Sequence, residues 1–103
     1  MTKTIVIQDA QTGQILADGE AIKFEGNYYF EVAEVNFESL SEKKNQYHCP
    51  IKNADCDYFY LTENSTQEVA WSYKAIPNPD FESIQGKIGF YGKKTKLVEI
   101  VEL

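Results

Sequence analysis

The stretch AIKFEGNYYFEV, residues 21–32, decides the fold class of this chain. In its first half the apolar side chains of Ile22 and Phe24 alternate with charged neighbours, which is the two-residue period of a half-buried strand. Gly26 and Asn27 then provide a two-residue turn, and a run of aromatic residues follows it. Two strand-like runs around such a turn predict a β-hairpin.

Short runs of the same kind recur on both sides of this hairpin. Gln11–Gln14 and Asp18-Gly19 are expected turns, and the polar run Ser41–Gln46 is expected to be a surface loop. The whole predicts a mainly β fold of about eight or nine short strands, in one domain over residues 1–103. The other strands are expected at Thr4–Gln8, from Ile15 onward, and at Asn36–Leu40, Asp57–Thr62, Gln67–Tyr73, Ile88–Tyr91 and Thr95–Leu103.

The run NPDFESIQGK, residues 78–87, predicts one short helix near residues 79–85. Asn78 can accept hydrogen bonds from the first free N–H groups, and Pro79 suits the first helical position. Gly86 can adopt the left-handed conformation that ends a helix.

The charge balance narrows the classes of function. The chain has 10 lysines, no arginine and 16 acidic residues, a net charge of −6. Nucleic-acid binding needs a basic face, so no nucleic-acid partner is expected. The amino terminus is too polar for a signal peptide and no apolar run is long enough for a membrane span. A cytoplasmic protein with reduced cysteines and no membrane partner is therefore expected.

The stretch YHCPIKNADCDYFYL, residues 47–61, contains the only histidine and both cysteines. Cys49 and Cys56 have the spacing C-x₆-C without a second cysteine pair, which is a weak pattern for zinc. His48 and Cys49 are adjacent and would point to opposite faces of a strand. We expect buried thiols and neither a metal nor a cofactor; the alternatives are a Cys49–Cys56 disulfide and a zinc site completed by Asp55 or Asp57.

Aromatic residues form a second pattern. Trp71 and Tyr73 lie two positions apart and share one face of their strand, and Tyr58 and Tyr60 do the same on the expected neighbour. Such rows belong either to a core or to a binding pocket, because tyrosine and tryptophan combine an apolar body with a polar tip.

Five phrases in order along the chain resemble the bacterial and fungal domain-of-unknown-function 427 family: ILADG, YYFEVAEV, CPIKN, AWSY and IQGKIGFY. The resemblance implies a small, mostly antiparallel fold of the Mss4-like or β-tent type, with two sheets meeting at an angle. Relatives of that architecture often hold zinc between CxxC knuckles, and this family resembles a version without them. A nucleotidyltransferase-type label exists for the family, but the chain shows neither a phosphate cradle nor metal-binding carboxylates of that kind.

The family's C-P-x-K-G pattern is matched by Cys49, Pro50 and Lys52, and Asn53 stands in place of the glycine. That substitution implies a left-handed backbone, which asparagine tolerates. Cys56 stands where the family has a small residue, so it is expected to pack rather than react.

The resemblance and the aromatic rows together predict one shared pocket. The chain is expected to be a binding module for a small molecule or a peptide, with a pocket lined by aromatic side chains and lysine. The alternative is a small enzyme that uses Lys52 or Cys49 with a nearby carboxylate, and a third possibility is a protein-interaction domain. The candidate residues are Lys52, Cys49, Trp71, Tyr73, Tyr91, Asp18 and Glu34.

Overall fold

A computed structural model describes residues 2–73 and 75–103, and these residues form one antiparallel sheet of eight strands. The predicted mainly β class is confirmed. The strands are β1 (Thr2–Asp9), β2 (Ile15–Phe24), β3 (Asn27–Phe30), β4 (Leu40–Cys49), β5 (Ala54–Leu61), β6 (Ala70–Tyr73), β7 (Ile88–Phe90) and β8 (Val98–Glu102). Their order across the sheet is β4-β5-β6-β7-β3-β2-β1-β8. The helices in the described residues are 3₁₀ helices at Val32–Glu34, Phe37–Ser39 and Pro79–Ile84.

The sheet has two halves that meet where β3 pairs with β7. One half is β8-β1-β2-β3 and the other is the meander β4-β5-β6-β7. The connection consists of the pairs Tyr28↔Phe90, Tyr29↔Gly89 and Phe30↔Ile88. The two separate sheets implied by the resemblance are therefore corrected to one hydrogen-bonded sheet. The backbone groups of these buried strands need hydrogen-bond partners, and pairing β3 with β7 provides them.

One face of the sheet carries the main core, in which residues of both halves pack together. Ile5 and Leu16 come from the first half, while Leu40 and Leu61 come from the second. The sheet must curl for these residues to share a core. The largest fully buried side chains of this core are Phe30, Phe90, Ile5, Ile7 and Leu16.

The predicted hairpin exists, but its turn lies one residue earlier than expected. Phe24 pairs with Asn27, so the two turn residues are Glu25 and Gly26. Both have positive φ angles, 52° and 83°, as a type I′ turn requires. Asn27 instead starts β3, and its side-chain Oδ1 accepts a hydrogen bond from the Gly92 N–H at 3.1 Å.

The expected turn at Asp18-Gly19 is wrong, because β2 continues through it without interruption. A glycine is needed at position 19 because of packing and not because of a turn. A Cβ atom added there would overlap the Glu34 carboxylate, which lies against β2. The Glu34 side chain accepts a hydrogen bond from the Glu20 N–H at 3.2 Å.

The region between β3 and β5 also differs from expectation. The strand predicted at Asn36–Leu40 is a 3₁₀ helix, Phe37–Ser39, and the loop predicted at Ser41–Gln46 belongs to β4. β4 is an edge strand with exposed side chains at every position except its two ends, so the alternation that marks a half-buried strand is missing.

The predicted short helix is confirmed as the 3₁₀ helix Pro79–Ile84. The Asn78 side chain accepts a hydrogen bond from the Asp80 N–H at 2.9 Å, and Gly86 follows with a φ of 74°. Phe81 and Ile84 are its buried residues. Among the described residues, no helix has the length and apolar character needed to cross a membrane.

Candidate functional site

The sheet face opposite the main core carries a second core that is rich in aromatic residues. Successive side chains of β3, β5 and β6 point to opposite faces of the sheet. Residues next in sequence to those of the main core therefore face the second core. Ile76, from the segment after β6, covers this core together with Phe81 and Ile84 of the 3₁₀ helix Pro79–Ile84. The remaining members are Tyr29, Cys49, Ala54, Cys56, Trp71 and Tyr73.

Trp71 is held in one orientation within this core. Its indole Nε1–H donates to the Tyr29 hydroxyl at 3.1 Å, and the two rings meet edge to face. Gly89 lies between these residues on β7 and pairs with both. A Cβ atom at Gly89 would come within 2.6 Å of the Trp71 Nε1 and 2.7 Å of the Tyr29 ring. The glycine therefore makes room for the indole and its hydrogen bond.

An open cleft of about 180 Å³, which we call the aromatic cleft, lies beside the second core. The Tyr91 and Trp71 rings meet at its wall with centroids 4.8 Å apart and planes inclined by 64°. Three of the predicted site residues line the cleft: Trp71, Tyr73 and Tyr91. The other lining residues are Asn27, Tyr47, Cys56, Tyr58 and Glu68.

Glu68 gives the aromatic cleft a carboxylate. Its Oε1 accepts a hydrogen bond of 2.7 Å from the Tyr91 hydroxyl. Burial, together with this hydrogen bond, raises the pKa of Tyr91, and burial raises the pKa of Tyr73 and Tyr58. These three phenols therefore remain neutral at physiological pH, and they present uncharged rings and hydroxyl groups to the cleft.

Cys56 lies in the cleft lining with a thiol that is hard to ionise. Its side chain is almost completely buried, and burial raises the pKa of the thiol from 9.0 to about 12. A thiol that keeps its proton is a poor nucleophile and a poor metal ligand. The expectation that Cys56 packs agrees with this environment.

Lys52 contacts the aromatic cleft's wall without lining the cleft. The residue is 8% exposed, and its Nζ lies 5.2 Å from the Tyr73 ring centroid and 4.8 Å from that of Phe81. Its ammonium pairs with the Glu25 carboxylate at 3.2 Å. Asn53, the next residue, has a φ of 49°, which confirms the left-handed backbone predicted there.

The other candidate residues lie in different surroundings. Cys49 is buried as a member of the second core. Asp18 is an exposed residue in the middle of β2, where it pairs with Val6. Glu34 braces the β2 backbone near Gly19, as described above, and its second oxygen accepts from the Glu31 N–H at 3.0 Å. Neither carboxylate belongs to the residues that line the aromatic cleft.

The histidine and the cysteines point away from one another. His48 Nδ1 lies 2.9 Å from the Asp55 Oδ1 across the exposed side of β4 and β5. Cys49 and Cys56 are both free thiols on the second-core face. Within residues 2–73 and 75–103, no group of three or more potential ligands from His, Cys, Asp and Glu is placed to hold a metal ion.

Sequence reasoning missed Glu68 and Asn27. The strand predicted at Gln67–Tyr73 would place Glu68 on the face opposite Trp71, but β6 begins at Ala70 and Glu68 lies in the irregular segment before it. The sequence predicts Asn27 in the turn, whereas it is the first residue of β3. Tyr47 and Tyr58 are aromatic residues of the quoted 47–61 stretch, and the β4–β5 pairing brings them to the cleft.

Two further cavities lie elsewhere. A groove of about 480 Å³ on the main-core face includes Phe37, Phe59 and Asp57, whose carboxylate accepts a hydrogen bond from the Asn45 N–H at the irregular point of β4. A hollow of about 150 Å³ lies between Asp9 and Glu63. The aromatic cleft is distinguished from both by its concentration of tyrosine and tryptophan side chains.

The family expectation can be compared with known proteins at this point. A family model described as “Domain of unknown function (DUF427)” matches residues 2–101 of the chain, which confirms the resemblance predicted from the five phrases. No curated protein gives a significant match.

Proposed function

The chain belongs to the DUF427 family, whose description names no activity, and from the aromatic cleft we propose that it is a binding module. Its ligand is a small organic molecule or the side chain of a peptide, held against the rings of Trp71, Tyr73 and Tyr91. We further propose that it works in the cytoplasm, and the two buried cysteines without a disulfide between them support this proposal.

The observation that carries this proposal is the convergence of aromatic side chains from several strands on one open cleft. Tyr58, Trp71 and Tyr91 are each placed by a different part of the sheet, and all three keep part of their surface within the cleft. Ligand sites in proteins combine such apolar walls with a few polar groups that fix orientation. The polar groups here are the phenols, Asn27 and Glu68.

A titration followed by ¹⁵N–¹H NMR tests the proposal. The purified protein is titrated with nucleotides, sugar phosphates, organic acids and amines, and the indole of Trp71 is a unique reporter because the chain has one tryptophan. We expect one ligand class to shift the resonances of Trp71, Tyr91 and their neighbours. A well-dispersed spectrum that no panel member changes would contradict the proposal.

Matched tyrosine variants show whether binding occurs in the aromatic cleft. Tyr58 and Tyr60 are both half-buried on β5, but only Tyr58 belongs to the cleft lining. Tyr58→Ala should weaken binding, whereas Tyr60→Ala should leave the affinity unchanged. Equal losses in both variants would place the ligand somewhere else.

One observation favours the alternative of a small enzyme. A buried ammonium, Lys52, lies 3.2 Å from the Glu25 carboxylate, and the buried thiol of Cys49 lies three residues before it in the chain. An activated Cys49 would be alkylated by iodoacetamide in the folded protein at neutral pH faster than a free thiol. The binding proposal expects both cysteines to be protected until the protein unfolds, and mass spectrometry distinguishes the two results.

The finer fold type stays a prediction. We propose that the architecture is of the Mss4-like or β-tent type, and the two antiparallel halves joined along β3 and β7 support this assignment.

A further inference from the structure

We propose that the aromatic cleft selects an organic cation, and that its preferred ligand is a methylated or quaternary ammonium group. This inference rests on the proposed binding function and adds the chemical class of the ligand. It follows from the charge of the lining, from its five aromatic side chains and from the desolvation of N–H donors that a primary ammonium would require.

The charge of the lining is the first argument. Among the eight described residues that line the aromatic cleft, none is a lysine, arginine or histidine, and one is a carboxylate, Glu68. The raised pKa values of Tyr58, Tyr73, Tyr91 and Cys56 keep these neighbours uncharged at physiological pH. The cleft therefore presents one negative charge among neutral groups, in a chain with a net charge of −6.

The aromatic rings give the second argument. The face of a tryptophan or tyrosine ring carries the negative part of its quadrupole and attracts cations, tryptophan most strongly. Trp71 and Tyr91 meet edge to face with planes inclined by 64°, so the two rings of the wall face different directions rather than forming a flat stack. A compact cation can touch more than one ring of such a wall.

Lys52 shows that this part of the protein already holds an ammonium in the same way. Its Nζ lies close to the Tyr73 and Phe81 rings, at 5.2 and 4.8 Å from their centroids. The charge of Lys52 is balanced by Glu25 at 3.2 Å, outside the cleft lining. It therefore does not cancel the charge that Glu68 offers to a ligand.

The N–H donors of the ligand decide between kinds of ammonium. A primary ammonium has three donors that all need acceptors when they leave water. In the cleft, Asn27 Oδ1 already accepts from the Gly92 N–H, and Glu68 Oε1 accepts from the Tyr91 hydroxyl. A primary ammonium would therefore have to divide its donors between the other Glu68 oxygen, the phenol oxygens and water. A quaternary ammonium has no N–H donors, so it makes no such demand and is held by the rings and by the charge of Glu68. A cleft of about 180 Å³ suits a compact head group of this kind.

The test uses tetramethylammonium and choline as probes, followed by Trp71 fluorescence and by the indole NMR resonance. The matched control ligand is the tert-butyl analogue of choline, in which carbon replaces nitrogen, so that shape is kept and charge is lost. We expect choline to bind at least about tenfold more tightly than this neutral analogue. Acetate serves as an anion of similar size and should not bind.

The outcomes separate this inference from the proposed function. Equal binding of choline and its neutral analogue, or binding of an anion in preference to both, would overturn the cation inference and leave a working binding cleft. If neither these probes nor the broader ligand panel perturbs Trp71, both proposals fall. Methylammonium is a primary ammonium with three N–H donors. If it bound more tightly than tetramethylammonium, the preference for a fully methylated head group would be overturned.

Two variants test the role of the carboxylate. Glu68→Gln keeps the shape and removes the charge, and we expect it to weaken choline binding about fivefold. Glu82→Gln removes the same charge from an exposed position on the 3₁₀ helix and should have no effect. Equal affinities for Glu68→Gln and the unaltered protein would overturn the role assigned to Glu68.

A final comparison identifies the source of the head group. A peptide with one trimethyllysine and the same peptide with unmodified lysine are titrated beside choline. Tighter binding of the methylated peptide than of choline would assign the cleft to a modified protein side chain. Tighter binding of choline would assign it to a free metabolite, and the cation inference stands in either case.

Discussion

At the scale of single residues, the hydrogen bond between Trp71 and Tyr29 positions the aromatic cleft's largest ring. The Trp71 Nε1–H donates to the Tyr29 hydroxyl at 3.1 Å, and both residues are at least 90% buried. A buried donor without an acceptor costs about 1–3 kcal/mol, more than the net value of the hydrogen bond itself. The Tyr29 hydroxyl therefore matters to the fold although it does not line the cleft.

The first prediction is that Tyr29→Phe lowers the free energy of unfolding by about 1–3 kcal/mol. The ring remains, so the loss comes from the unpaired indole N–H, whose NMR resonance should also move. Urea unfolding followed by circular dichroism measures the stability. Tyr60→Phe is the control and should change the stability by less than about 0.5 kcal/mol. Equal stabilities for the two variants would show that Trp71 finds another acceptor or water.

The second prediction concerns alkaline pH and the Cys56 thiol. Its pKa in the folded protein is about 12, against 9.0 for an ordinary thiol, because burial disfavours the thiolate. Above pH 9 the unfolded chain therefore binds fewer protons than the folded chain at this site, and stability falls as pH rises. For one such group the free energy of unfolding falls by up to about 1.4 kcal/mol per pH unit above pH 9. Well below pH 9 this dependence on pH disappears.

Cys56→Ala isolates this effect. The variant is less stable at pH 7, because a buried side chain has been shortened, but its stability should fall less steeply between pH 9 and 10 than that of the unaltered protein. Urea midpoints measured across this interval give the two slopes. Parallel slopes would mean that the thiol contributes nothing and that tyrosines account for the alkaline loss.

At the scale of elements, the three-residue strand β7 shapes the aromatic cleft through a missing side chain. Gly89 pairs with Tyr29 on one side and with Trp71 on the other. Ile88 and Phe90, its two neighbours, point into the main core. β7 thus packs Ile88 and Phe90 into the main core, while Gly89 leaves space on the opposite face for the indole of Trp71.

The third prediction is that Gly89→Ala destabilises the protein by about 1–3 kcal/mol and displaces the indole of Trp71. The added Cβ would lie 2.6 Å from the Trp71 Nε1, so the ring must move. Gly13→Ala is a useful comparison, since Gly13 has a φ of 76° and no atoms within 4 Å of the added Cβ. It should cost stability through backbone strain alone and leave the fluorescence of Trp71 unchanged. An unchanged indole resonance in Gly89→Ala would contradict the steric argument.

Elements with one buried face were predictable from the sequence, and elements without one were not. The hairpin around Gly26 follows from the alternation of side chains, although the positive φ of Glu25 placed its turn one residue early. The exposed strand β4 has no such alternation, so the polar run Ser41–Gln46 within it predicts a loop instead of a strand. The pair Asp18-Gly19 predicts a turn, because the sequence does not reveal that a distant side chain, Glu34, lies against Gly19.

At the scale of the whole molecule, the site residues that lie in or beside regular strands were predictable from the sequence, and the others were not. Trp71, Tyr73 and Tyr91 lie in strands or next to them, and the aromatic cleft unites all three. The family pattern added Asp18, which lies in β2, and Glu34, which contacts the β2 backbone, and neither reaches the cleft. Glu68 lies before the observed start of β6, so the periodicity of the predicted strand does not apply to it. Which side chains meet depends on how the sheet curls, and that depends on contacts between its two halves.

The fourth prediction tests whether the two halves unfold together. Ile5 on β1 is fully buried in the main core, and Trp71 on β6 belongs to the second core on the other face. Ile5→Val removes one buried methyl group and should lower the free energy of unfolding by about 0.5–1.5 kcal/mol. Because β3 and β7 join the halves, the urea midpoint should fall equally by circular dichroism and by Trp71 fluorescence.

Ile15→Val makes the same chemical change at a site that is 45% exposed, so both midpoints should stay within experimental error of the unaltered protein. If the two halves of the sheet unfold independently, the circular dichroism and Trp71 fluorescence transitions of Ile5→Val should differ. Circular dichroism would then show two steps, and the Trp71 midpoint would not move. A common shift would mean that a substitution far from the aromatic cleft changes the population of the folded cleft, because the β3–β7 pairing links the two cores into one cooperative unit.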